Sequence, residues 1–159
     1  MKFHIGQGAD VHAFCAGDHI VLGGVIIPYK RALAAHSDGD VALHALCDAM
    51  LGAAALGDVG CHFPSSDQKW AGADSRDLLR ETDVLIKHAG WSVVNADITL
   101  VCEQPKIAPH TDLMRANVAA DLGLDQQDVS IKATTTDGLG FCGRSEGIAA
   151  LAVVLIEAR

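Results

Sequence analysis

The stretch Ser37 to Leu56, SDGDVALHALCDAMLGAAAL, reads as a buried helix running from Asp40 to Leu56. Val41, Leu43, Leu46, Met50, Leu51 and Ala53 to Ala55 put apolar groups round most of its circumference. A helix with so little polar surface has to be covered by other layers. Ser37, with Asp40 three residues on, fits a capping box with Ser37 as the N-cap. One stripe breaks the apolar surface: Asp40, His44 and Asp48, at i, i+4 and i+8, share one face.

Outward from this helix the chain supplies the covering layers. Phe3 to Phe14 reads as a strand broken by Gly6 and Gly8. Ile20 to Ile27 reads as a second strand, with a bulge or close backbone approach at Gly23-Gly24 and an end at Pro28. Leu78, Leu79, Thr82, Leu85, Ile86 and Ala89 recur at helical spacing, so Ser75 to Ala89 is a helix stopped by Gly90. Trp91 to Cys102 is a strand, Pro109 to Leu122 a helix stopped by Gly123, Val129 to Ala133 a short strand and Ile148 to Ile156 a long aliphatic one. The order β-β-α-α-β-α-β-β predicts an α+β fold, a mixed α/β sandwich of one sheet with helices on one face. With no repeat, low-complexity tract or linker, residues 1–159 read as a single domain.

Composition excludes several classes of function. Half the residues are hydrophobic and 20% are charged, which excludes intrinsic disorder. Twelve Lys and Arg against twenty Asp and Glu give a net charge of −8, which argues against a nucleic-acid partner. An anionic substrate would have to be held by local cations against this field. Sixteen of the twenty acids are Asp, a residue of caps, turns and metal sites. No apolar run approaches the roughly 18 residues that span a membrane, and the N-terminus does not read as a signal peptide. Five cysteines without a CxxC pair suggest reduced thiols and a cytoplasmic location.

Several clusters carry chemistry. Asp10-Val-His12 lies in the first strand, where residues i and i+2 point to one face. A carboxylate and an imidazole there offer two ligands to a divalent metal, and His44 offers a third; three ligands with an open fourth position make a catalytic zinc arrangement. A chance pair beside a hydrogen-bonded core histidine fits the same spacing. His36 precedes a helix N-terminus, whose free N–H groups and dipole suit phosphate; a well-capped helix beside a solvated histidine fits as well. Lys132 to Gly147 sets Thr134, Thr135 and Thr136 after a strand, then four glycines and Arg144, groups that bind phosphate oxygens, while Asp137 suits a hard cation. A hairpin connection with turn glycines is the alternative there. The proline-punctuated loop Cys102 to His110 suits a flat ligand such as a base, and the irregular loop Asp58 to Asp67 suits a polyol.

Together these segments resemble one family, the 2-C-methyl-D-erythritol 2,4-cyclodiphosphate synthases of the non-mevalonate isoprenoid pathway. The likeness is carried by Gly8-Ala-Asp10-Val-His12, Ile26-Ile-Pro-Tyr29, Ala35-His-Ser-Asp-Gly-Asp-Val-Ala-Leu-His44-Ala45, Leu56-Gly-Asp-Val-Gly60, Phe63-Pro64, Gly72-Ala-Asp-Ser75, Pro105-Lys106, Lys132-Ala-Thr-Thr-Thr136 and Gly140-Phe-Cys-Gly-Arg144, and it runs from end to end. It implies a mixed sheet with helices on one face, assembled as a homotrimer with the sheets around the three-fold axis and the active sites between subunits. It also implies a phosphorus–oxygen lyase acting on 4-diphosphocytidyl-2-C-methyl-D-erythritol 2-phosphate. The substrate's own 2-phosphate attacks its β-phosphate, closing the cyclic diphosphate and releasing CMP.

The same resemblance implies the roles of individual residues. Asp10, His12 and His44 would hold one Zn²⁺ per subunit, and His36 and Thr135 would stabilise the transition state. Asp10, Val11, His12, His36 and Ser37 would line the substrate near the metal. Asp58, Val59, Gly60, Phe63, Pro64, Ser65, Ser66 and Asp67 would face the methylerythritol hydroxyls. Cys102, Glu103, Gln104, Pro105, Lys106, Ile107 and Ala108 would cradle the cytosine. Thr134, Thr135, Thr136, Asp137, Phe141 and Arg144 would serve the nucleotide phosphates, with a Mg²⁺ or Mn²⁺ at Asp137. Asp48, one turn past His44, is the expected partner that orients a ligand; a surface or capping role fits equally. Asp137 stands where the family usually has Glu, Ala9 where a bulky residue is common and His4 where Arg is usual. A zinc phosphohydrolase or a non-catalytic sensor would share these ligands without any sequence feature of its own.

Overall fold

In the computed structural model, which describes residues 1–159, a five-stranded mixed sheet carries the helices. Its strands lie in the order β4 (Ala32–Leu33), β1 (Phe3–Cys15), β7 (Gly147–Ala158), β5 (Trp91–Val101) and β6 (Val129–Thr134). β7 runs antiparallel to both β1 and β5, and β5 runs parallel to β6. Along β1 the even-numbered residues, Asp10 and His12 among them, turn toward the helices, while Phe3, Ile5 and Val11 are exposed on the other face. Register sets Asp10 opposite Ala150, Ala150 opposite Leu100 and Leu100 opposite Ala133. The Asp10–His12 segment and the C-terminal ends of β5 and β6 therefore share one end of the sheet.

Helix α1 (Val41–Ala53) packs on β1 and β7. α3 (Ser75–His88) lies beside it, and α4 (Thr111–Leu122) completes the layer. Two single-turn helices, α2 (Val59–His62) and α5 (Gly140–Gly143), sit in connections. β1 is continuous, contrary to the expected break at Gly6 and Gly8. Both glycines are there for packing: a Cβ on Gly6 would overlap the Ala49 carbonyl oxygen, and one on Gly8 that of Ala45. Backbone thus rests on backbone, and the close approach sets His44 of α1 beside Asp10 and His12 of β1.

The start of α1 corrects the expected cap. Asp40, not Ser37, is the N-cap, and its side chain does not join His44 and Asp48. It points away, fully buried, and accepts N–H groups from Leu43 at 3.1 Å, Gly23 at 2.9 Å and Gly24 at 2.7 Å. Gly23 and Gly24, with φ of +56° and +72°, form the tight turn between β2 (His19–Leu22) and β3 (Val25–Pro28). Ile20 to Ile27 is therefore a hairpin forming its own two-stranded sheet rather than one bulged strand. Asp40 pins this hairpin to the helix start.

Asp40→Ala would leave three buried donors without an acceptor and is expected to cost about 3 kcal/mol or more in urea unfolding. Burial also pushes the Asp40 carboxyl up to about 6, although the three N–H donors pull it down. Its folded value lies above its unfolded one, so this group's contribution is full at low pH and is lost as pH rises through 6. The stability gap between parent and Asp40→Ala should widen as pH falls from about 7 toward 4.

Other boundaries shift by a turn or less. α1 stops at Ala53 because the chain turns left-handed at Ala55 (φ +58°) and Gly57 (φ +89°). Pro109 lies in a separate 3₁₀ turn, Ala108–His110, ahead of α4. Gly123 ends α4 in the left-handed conformation. β4, only two residues long, had no pattern to announce it. All five cysteines are free, and no helix is long and apolar enough to cross a membrane.

Candidate active site

Asp10, His12 and His44 converge at the helix-facing side of β1. One ligand atom from each lies within 4.8 Å of the others. The period-two pleat aims Asp10 and His12 together, and the second turn of α1 brings His44 over them. Asp10 Oδ2 is 2.6 Å from His12 Nε2 and 3.2 Å from His44 Nδ1, and the two nitrogens are 3.3 Å apart. His12 Nδ1 lies 2.9 Å from the Ala34 carbonyl oxygen. That oxygen can only accept, so Nδ1 carries a proton; Nε2 donates to the Asp10 carboxylate when His12 is protonated and turns a lone pair to the cluster when it is neutral. Burial works against the Asp10 carboxylate, but hydrogen bonds to His12 and His44 outweigh it and hold the group well below the usual carboxylate range. The bond to Asp10 holds His12 above the usual imidazole value, against burial. One carboxylate and two imidazoles form a donor set that fits a divalent cation such as zinc, with room for a further ligand.

This cluster floors a cleft of about 260 Å³. Ala35, His36 and Ser37 form one wall, Asp48 and Leu78 line it from the helices, and Val59, Phe63, Ser65 and Trp70 close the other side. Trp70 meets Phe63 edge to face at 4.9 Å between ring centroids, and the Lys69 ammonium lies 4.3 Å over the Trp70 ring. A second cleft, about 240 Å³, opens where β5 and β6 end. It is lined by Cys102, Glu103, Pro105 to Ala108, Ala133, Thr134 and Thr135. The Glu103 carboxylate accepts from the Thr136 N–H at 3.0 Å, the Thr136 hydroxyl at 3.2 Å and the Gly138 N–H at 3.4 Å, which pins the threonine loop. Those bonds, the Thr136 N–H foremost, hold the Glu103 carboxyl below its ordinary value.

Residues 3–157 match the YgbB family. The chain belongs to the YgbB family. One relative, named 2-C-methyl-D-erythritol 2,4-cyclodiphosphate synthase, from Marinobacter nauticus, is 60% identical over 154 residues, covering 97% of each chain. Among solved structures, a 2C-methyl-D-erythritol-2,4-cyclodiphosphate synthase in its CDP-bound form superposes with a TM-score of 0.88 at 36% identity, over 96% of this chain and 99% of that one. The bifunctional IspDF of Campylobacter jejuni superposes with a TM-score of 0.95 at 40% identity. The match takes in 99% of this chain but 43% of that longer one.

Within this YgbB-family fold the structure divides the residues singled out in the sequence. The first cleft gathers Asp10, His12, His36, Ser37, His44, Val59, Phe63 and Ser65. The second gathers Thr134, Thr135 and most of the 102–108 loop. Others stand elsewhere. The Val11 side chain lies on the opposite face of the sheet, and its N–H donates to Asp10 Oδ1 at 2.9 Å. Asp58 caps α2 and Asp67 caps the 3₁₀ turn Gln68–Trp70. Gly60, Pro64, Ser66 and Gln104 line neither cleft. Asp137 is exposed at φ +53°, outside the ligand cluster. Phe141 is exposed, and Arg144 pairs with Glu146 at 3.1 Å.

Asp48 does not orient His44, contrary to expectation. Its Oδ1 accepts the Val59 N–H at 2.8 Å and anchors α2, and burial lifts its carboxyl above the ordinary value. Trp70 and Leu78 line the cleft without having been singled out. Leu78 read only as a core position of its helix. Trp70, one of two tryptophans in the chain, was the available signal in its loop.

Proposed function

We propose that the two clefts hold the two ends of one substrate. The chain converts 4-diphosphocytidyl-2-C-methyl-D-erythritol 2-phosphate to 2-C-methyl-D-erythritol 2,4-cyclodiphosphate and CMP, as a phosphorus–oxygen lyase of the non-mevalonate isoprenoid pathway. The observation that carries this reading is the Asp10–His12–His44 cluster at the floor of a cleft, in a chain 60% identical to a synthase of that name.

The nucleophile is the substrate's own 2-phosphate, so no protein base has to generate one. The residues bind, orient and neutralise a polyanion folded back on itself. His36, at the rim of the metal cleft, donates to the phosphates, and the loop from Asp58 to Asp67 holds the polyol. Backbone groups of Cys102 to Ala108 take the cytosine, Lys106 meets a phosphate, and the Thr134 and Thr135 hydroxyls, on a loop pinned through Thr136, hold the diphosphate, with Thr135 nearest the breaking bond. When bound, Zn²⁺ at Asp10, His12 and His44 supplies a Lewis acid for the β-phosphate, and Mg²⁺ or Mn²⁺ near Asp137 supplies charge to the departing CMP.

β7 stands between β1, which carries the metal cleft, and β5, at whose end the second cleft opens. Two strand steps separate β1 from β5 by roughly 10 Å. Phe3, Ile5, Val11, Leu151 and Val153 leave an apolar strip on the open face of the sheet. Burying that strip among three copies around a three-fold axis makes a homotrimer and sets the metal cleft of one copy against the nucleotide cleft of the next. In a phosphorus NMR time course with Mg²⁺, the purified protein is expected to yield CMP and the cyclic diphosphate, both lost on adding a zinc chelator. CMP with a linear diphosphate would make the protein a phosphohydrolase, and binding without turnover a sensor.

A further inference from the structure

His44 faces the metal cluster through Nδ1 and turns Nε2 into the protein. Nε2 lies 2.9 Å from the hydroxyl oxygen of Ser75, the fully buried first residue of α3. That hydroxyl donates at 2.5 Å to Asp38 Oδ1. Asp38 is fixed in turn: its Oδ2 accepts the Ser75 N–H at 3.0 Å, and its Oδ1 accepts the Asp40 N–H at 3.1 Å.

The proton count sets the direction of the chain. A carboxylate only accepts, and Ser75 has a single hydroxyl proton. With that proton given to Asp38, Ser75 can only accept from His44, so His44 must carry its proton on Nε2. In the neutral ring, the form that binds a metal, Nδ1 is then a bare lone pair facing Asp10 and His12. Ser37 Oγ also lies 3.1 Å from Nε2, but its proton is tied to no carboxylate and so selects no tautomer.

We infer that Asp38 and Ser75 form a relay that holds His44 in its metal-binding tautomer and orientation, which makes both of them positioning residues of the centre. This rests on the reading of Asp10, His12 and His44 as metal ligands. Outer partners of this kind typically change metal affinity by about 10- to 100-fold.

The test is cobalt(II) titration followed by the d–d absorption of the bound ion, on the parent, Ser75→Ala and Asp38→Asn. Thermal melts of the metal-free proteins serve as the control for folding. Both variants are expected to bind cobalt about 10- to 100-fold more weakly than the parent at temperatures where all three are folded. Affinities within twofold of the parent would overturn the relay and leave the metal site standing. A parent that binds no cobalt would overturn the metal reading itself. The second measurement needs no variant. In the metal-free parent, at a pH where His44 is neutral and no ion fixes its tautomer, nitrogen-edited proton NMR should find the His44 proton on Nε2. A proton on Nδ1 would overturn the relay even if neither variant folds.

Discussion

His44→Ala protein is expected to fold, bind little zinc and lose about a thousandfold or more in turnover, since a Lewis acid at the reacting phosphate is worth several kcal/mol and each 1.36 kcal/mol is tenfold in rate. Folding survives because His44 is only partly buried and alanine is the best helix former. Asp10 and His12 alone offer two ligands, too few for a closed site. CMP release followed by phosphorus NMR, with metal content by atomic emission, reads both effects. A zinc content equal to the parent's would remove His44 from the ligand set.

Gly8→Ala is expected to abolish soluble, folded protein, or to cost more than about 4 kcal/mol if any folds. The added methyl meets the Ala45 carbonyl oxygen, and the Ala49 nitrogen lies 2.7 Å from it. These are backbone atoms of α1, which no rotamer change can move aside. Helix and strand would have to part, and the same movement would separate His44 from Asp10 and His12. Gly52→Ala in the same helix is the control. The nearest atom to its new Cβ is the Gln7 carbonyl oxygen at 4.0 Å, so the gain in helix propensity, about 0.5–1 kcal/mol, is left unopposed. Urea unfolding of the two variants should therefore move in opposite directions. A Gly8→Ala protein as stable as the parent would mean that α1 does not rest on β1 in this way.

The two glycine readings show how sequence pattern and structure part company. Gly6 and Gly8 in an apolar strand read as breaks because glycine lowers strand propensity. In the structure they admit a helix backbone from a segment about forty residues away. Ser37 read as a cap because it stands three residues before an acid at a helix start. Asp40 takes that place because two N–H groups of the hairpin turn reach it. Asp48 was the expected partner of His44 because it lies one turn along the same helix. It instead anchors α2, and the partner is Ser75, thirty-one residues away on another helix.

Features set by neighbours along the chain were legible in the residues alone. Helical spacing placed α1, α3 and α4 to within a turn, glycine stopped α4, and a period of two put Asp10 and His12 on one face. Packing of helix on strand was needed to bring His44 onto the cluster, to line its cleft with Trp70 and Leu78, and to set Asp38 and Ser75 behind it. The physical reason is the range of the forces involved. Propensity and periodicity act over a few residues. A buried hydrogen bond is chosen by whichever donor and acceptor the packed layers bring within 3 Å, and no local pattern specifies that pairing.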